Sequence, residues 1–132
     1  MRFARHKVTV QMRLMLEHLV REGLIEIPIQ ATSKLREGLE RIVERYIEQF
    51  EQLEDDTLIF LGKHQLDKEK YYKRVFQNLA EERKLPISDD VFDHLNAQIQ
   101  EYLWNAEAVE EIFADERQLV AMVTPFLKAM LV

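Results

Sequence analysis

Four histidines, His6, His18, His64 and His94, are the side chains here best suited to bind a metal or move a proton. A di-iron carboxylate bundle needs a Glu three residues before a His, so that both project from one helix face. Those places hold Phe3, Met15, Leu61 and Val91. Glu17 beside His18 and Asp93 beside His94 are sequence neighbours, which a helix turns about 100° apart, so neither makes an acid–base pair. No His-Glu-x-x-His zinc pattern, glycine-rich phosphate loop or calcium loop occurs. With no Cys there is no thiolate ligand or thiol nucleophile. The two serines, Ser33 and Ser88, stand where helix caps are expected. An acidic cluster, Glu51, Glu54, Asp55 and Asp56, has oxygen donors for a hard cation. Its position at the end of an amphipathic run reads better as a solvated helix end followed by a cap. The expectation is a non-enzyme with no metal and no cofactor.

Charge points to a different kind of chemistry. The net charge of −6 is unevenly spread: residues 1–13 carry four bases and no acid, and residues 63–74 carry five bases and two acids. Arg2, Arg5, Lys7 and Arg13 in the first segment, with Lys70, Lys73 and Arg74 in the second, form a candidate basic patch able to meet phosphates if the segments converge. Cations at a helix start oppose the helix dipole, which makes an anionic partner more attractive there. The acidic balance of the whole chain argues the other way.

Those residues need elements to hold them. At 132 residues, with 47% hydrophobic and 32% charged side chains, the chain is long enough for one folded core. Only three Gly and three Pro interrupt it, which favours long helices. Val8, Met12, Met15, Leu16, Leu19 and Val20 follow a 3.6-residue period, and Gly23 supplies a C-cap. "LIEIPIQ" then reads as an extended connector, without a sheet. A second helix, capped near Thr32 or Ser33, carries the stripe Leu35, Leu39, Ile42, Val43, Tyr46, Ile47, Phe50 and Leu53. After it, "EDD" at 54–56 is read as a new cap for a short apolar turn, "TLIFL", that Gly62 stops. A third helix opens at Asp67 with Tyr72, Val75, Phe76, Leu79 and Ala80, and ends by Pro86. Ser88 caps a fourth, with Val91, Leu95, Ile99, Tyr102, Leu103, Ala106 and Val109. A fifth follows Asp115, with a kink or division expected at Pro125.

A shift of 56 positions lays the second helix on the fourth, Leu39 on Leu95 and Tyr46 on Tyr102. A shift of 60 lays Met15, Leu16, Leu19 and Val20 on Val75, Phe76, Leu79 and Ala80. The order helix, Pro connector, long helix recurs in both halves. The expected fold is therefore all-α, one domain over 1–132, with about five helices in two pseudo-repeated halves, about 8–62 and 67–132, sharing one core. "HLVREGLIEIP", followed by a long helix with an acidic end and then "YYKRVFQNLAEERKL", resembles a bacterial family of small uncharacterised helical proteins, domain-of-unknown-function family 507. The stretch "LPISDDVFDHLNAQIQEYLWNAEAVEEIFADERQL" is similar to a further copy of that family's first part. The resemblance implies a helical fold and brings no catalytic residue, cofactor or activity.

Two surfaces suggest contacts. Trp104, beside the stripe residue Leu103, is either core edge or a contact anchor. "LVAMVTPFLKAMLV" at the C-terminus is apolar almost all round, so Val123, Phe126, Leu127 and Met130 are a candidate interface unless the segment folds back under its own core. It is interrupted, and short of the roughly 20 apolar residues of a membrane span. No secretory signal pattern is seen, so a cytoplasmic location is expected. The function expected is an interaction protein acting as a homodimer or on another protein. Nucleic-acid or ribosome contact through segments 1–13 and 63–74 is the alternative.

Overall fold

The stripe Val8, Met12, Met15, Leu16 and Leu19 winds into α1 (Val8–Arg21) in the computed structural model, which describes Met1–Val132, and all five side chains are buried. β1 (Ile25–Glu26) follows, then α2 (Thr32–Lys63), α3 (Lys68–Glu82), α4 (Asp90–Asn105), β2 (Glu111–Ile112) and α5 (Glu116–Ala129). The fold is all-α, with five helices and one small ribbon. Helices α1, α2, α4 and α5 close a ring in which α1 touches α2 and α5, and α4 touches α2 and α5. Leu39, Leu95, Ile99, Leu103, Leu119 and Leu127 meet inside it, fully enclosed. Each such leucine contributes about 1.5–3 kcal/mol by leaving water. The remaining helix, α3, lies outside the ring against α2.

The sequence reading divides what the structure leaves whole. α2 is one helix of 32 residues, running through "EDD" and "TLIFL" to Lys63. Thr57 and Leu61 continue the period of Leu53, and both are buried, so the apolar stripe holds the helix together across the acids. Thr57 hands its hydroxyl to the Leu53 carbonyl at 2.7 Å, which removes a polar cost from the buried face. Nor does Pro125 divide α5, which continues from Glu116 to Ala129.

Three helices stop by one device. The amide of Leu24 donates to the Leu19 carbonyl, Leu66 to Leu61 and Leu85 to Ala80, each at 3.0 Å. Each bond needs a preceding residue in the left-handed region: Gly23 (φ 71), Gln65 (φ 53) and Lys84 (φ 54). Glycine adopts that conformation freely, whereas Gln65 and Lys84 bear a cost of roughly 1 kcal/mol. Gly62, the expected stop, is therefore an ordinary helical residue, and the turn falls at Gln65.

Capping follows the sequence at two helix starts and departs from it at two. Asp67 accepts from the amides of Glu69 (2.9 Å) and Lys70 (3.3 Å). Asp115 and Gln118 form a reciprocal box, at 2.8 and 3.0 Å. Neither Thr32, Ser33 nor Ser88 caps a helix: Ala31 and Asp89 occupy the cap positions, without side-chain bonds. A short 3-10 turn, Ile29–Ala31, leads into α2 instead.

Long-range pairing supplies what local sequence does not announce. Within "LIEIPIQ", Ile25 pairs with Ile112 and Glu26 with Glu111, antiparallel. Near the ends of the chain, Phe3 bridges Leu131. The segments related by the shifts of 56 and 60 residues sit differently. α1 packs on α2, while α3 also packs on α2 and makes no comparable contact with α4. Leu39 and Leu95 are both enclosed, but Tyr46 is buried where Tyr102 is half-exposed.

Candidate functional site

The cations of the first basic segment are engaged by the chain itself. Glu51 and Glu54 stand almost one turn apart on α2 and receive Arg5 and Arg2. Arg13 approaches Glu17 at 3.9 Å. The Lys7 ammonium donates to the Leu131 carbonyl at 3.2 Å, which answers the dipole conflict at the start of α1. The acidic cluster that the sequence offers as a helix end thus serves as a clamp for the N-terminal segment. Asp56 extends it: Arg83 bonds to its carboxylate and, with help from Gln52, holds it below the ordinary carboxylate range. The second segment is different. Lys70, Lys73 and Arg74 are exposed, with no carboxylate within 4.0 Å. Lys70 lies 5.6 Å from the centre of the Tyr71 ring.

The candidate interface changes more. Val123, Leu127 and Met130 are fully enclosed, because α5 is gripped by α1 on one side and α4 on the other. The expected C-terminal patch shrinks to Phe126, half-buried with its ring centre 5.7 Å from that of His18. Trp104, by contrast, is 62% exposed, so it is not core edge.

Two surfaces escape the sequence reading. The first is the free end of α2, where Leu58, Ile59 and Phe60 are 45%, 55% and 37% exposed. These three lie off the Leu53, Thr57, Leu61 stripe, and continuing the helical period through "TLIFL" would have found them. Gly62 follows on the same outer side, and a Cβ built there would meet nothing within 4 Å. The second is an open groove of about 520 Å³ between α2 and α4, lined by Gly38, Arg41, Arg45, Gln98, Glu101 and Tyr102 among others. Its floor is set by a close approach. A Cβ on Gly38 would fall inside the hydroxyl and Cζ of Tyr102 and 2.7 Å from its Cε2. Gly38, a glycine in the middle of a long helical pattern, was the available signal.

Four other titratable side chains pack against neighbours in the fold. Tyr46 donates to the Pro86 carbonyl at 2.7 Å, and burial, with Asp90 nearby, pushes its hydroxyl well above the ordinary tyrosine value. Burial and Glu54 push Tyr72 the same way. His94 shares a 3.1 Å contact with Gln98, and His64 lies against Phe60, their ring centres 4.2 Å apart. No three His, Asp or Glu side chains gather in a metal-binding group, and no helix is long and apolar enough to cross a membrane. No family model matches the chain, and no curated protein matches it.

Proposed function

We propose that this is a non-catalytic helical interaction protein that pairs with a second copy of itself through the free end of α2. The observation that carries this reading is exposed Ile59, with exposed Leu58 and Phe60 turned about 100° to either side of it on the helix. Successive large apolar side chains on an open helix end mark a contact surface or an aggregation hazard. Gly62 adds to it. Glycine inside a helix loses about 1 kcal/mol relative to alanine, and nothing in the chain crowds this one. Its use is to let another helix come close.

Charge favours a second copy as that helix. In an antiparallel pairing centred on Ile59, Asp55 of each chain faces Lys63 of the other. Neither residue has an ion-pair partner in its own chain. A two-fold axis satisfies both contacts at once, which is the hallmark of an isologous dimer. Such an interface is small, so the dissociation constant should be on the order of 10 µM. Sedimentation velocity across about 1–100 µM tests it. The expected result is a concentration-dependent shift toward twice the chain mass, abolished by Ile59→Glu. A monomer at every concentration contradicts the reading.

Nucleic-acid or ribosome contact stays as a second reading because Lys70, Lys73 and Arg74 are exposed without carboxylate partners. Three cations within two turns of one helix repel each other unless an anion meets them. The reading no longer draws on Arg2 and Arg5, which α2 engages. Binding of this kind must weaken steeply with salt, since each phosphate contact releases counterion. Binding that is flat across salt removes it.

A further inference from the structure

The groove between α2 and α4 carries hydrogen-bonding groups, most of them without a partner in the chain; Gln98 alone is engaged, by His94. Arg41 and Arg45 stand one turn apart on its α2 wall, about 6 Å between Cβ atoms. Both are exposed, and neither has a carboxylate within 4.0 Å. Arg2, Arg5, Arg13, Arg36 and Arg83 are paired with carboxylates, and Arg21, Arg74 and Arg117 are not; of the unpaired arginines only Arg41 and Arg45 line this groove together. Two like charges at this spacing destabilise a helix by a few tenths of a kcal/mol. Opposite them, α4 contributes the Tyr102 hydroxyl, seated over Gly38, and the amides of Gln98 and Asn105. Lys34 extends the cationic wall by two turns, into a second recess that shares Tyr102 and Ala106. The volume, about 520 Å³, suits a small molecule.

We propose that this groove binds a phosphate monoester, its dianionic head bridging Arg41 and Arg45 and its polar body lying against Tyr102, Gln98 and Asn105. Guanidinium forks match phosphate oxygens in pairs. A carboxylate has two oxygens and is satisfied by one fork, whereas a phosphate has three terminal oxygens and can engage both. Glu101 lines the same groove and selects against a continuous polyanion, because a nucleic-acid strand would have to bring a further phosphate past it. Its negative charge also opposes the dianionic head in the same groove. The groove and the free end of α2 are separate surfaces, so the failure of one leaves the other standing.

Titration of the full chain with glycerol 2-phosphate, inorganic phosphate and succinate, at constant ionic strength, tests the assignment by calorimetry and by amide chemical shifts. Saturable binding of both phosphate probes is expected, tighter than that of succinate, with shifts centred on Gly38, Arg41, Arg45 and Tyr102. Arg41→Gln and Arg45→Gln should each weaken it roughly ten- to hundredfold, the range of a lost charge-assisted bond. Arg45→Lys should weaken it too, because the fork is lost while the charge stays. Glu101→Gln should tighten it. Both arginines are exposed, so the thermal midpoints of these variants should match the parent, which separates lost binding from lost folding. No saturable binding up to about 20 mM, binding that survives in the double Gln variant, equal affinity for succinate, or shifts confined to other helices would each overturn the proposal.

Discussion

Replacing Gly38 with alanine sets two effects of opposite sign against each other. In an unhindered helix interior the exchange stabilises by about 1 kcal/mol, because glycine loses more backbone freedom on folding. Here the new Cβ overlaps the hydroxyl and Cζ of Tyr102, so the phenol must leave its place between α2 and α4. Tyr102 is half-buried and packs against the core, and overpacking of such a contact costs about 1–3 kcal/mol. The balance is a net loss of roughly 1 kcal/mol in the parent. Removing the phenol first reverses the sign: in a Tyr102→Ala background, Gly38→Ala should gain about 1 kcal/mol. Urea unfolding of the four proteins in the cycle should then give a coupling energy of roughly 2 kcal/mol. An equal gain in both backgrounds would show that Tyr102 does not rest on Gly38, and the floor of the groove would be wrong.

Leu39→Ala and Leu95→Ala each open a cavity at a fully enclosed site and should cost about 2–5 kcal/mol; an unchanged urea midpoint in either refutes its place in the core. Lys84→Gly and Gln65→Gly relieve left-handed backbone and should each stabilise by roughly 0.5–1 kcal/mol. A loss in thermal stability at either would mean that the helix does not end as described. Tyr46 is held neutral by burial and by Asp90, so its folded value lies above the unfolded value of 10.0. The unfolded chain then sheds that proton first, and stability, full below pH 10.0, should decline as pH rises beyond it. Tyr46→Phe should flatten that alkaline slope, and an equally steep slope in the variant argues against the assignment.

Much of the scaffold is legible in the sequence because burial imposes a period. Leu35, Leu39, Val43, Ile47 and Leu53 on α2, and Val91, Leu95, Ile99 and Leu103 on α4, are core residues in the structure and a 3.6-residue stripe in the sequence. The α2 boundary is hidden in the sequence because three successive acids resemble a cap, while Thr57, a polar residue, masks the continuing stripe that its hydroxyl bond to Leu53 makes possible. The ribbon between Ile25 and Ile112 is not legible because two-residue strands have no period to read. The site was less legible. The candidate basic patch lost Arg2 and Arg5 to Glu54 and Glu51, a pairing across about 50 residues that no local pattern signals. Val123, Leu127 and Met130 read as an interface unless the segment folds back under its own core, and the core covers them because α5 has two neighbours, α1 and α4. Arg41, Arg45 and Tyr102 converge only through the crossing of α2 and α4, which Gly38 permits.

The pairing of two copies through α2 is tested most directly by exchanging charges across the proposed axis. Asp55→Lys places like charges opposite each other twice per dimer, and so does Lys63→Asp. Each single variant should sediment as a monomer at a concentration where the parent is largely dimeric. The double variant, Asp55→Lys with Lys63→Asp, restores both pairs and should recover the dimer. Single variants that dimerise like the parent, or a double variant that stays monomeric while folded, would contradict the antiparallel interface centred on Ile59.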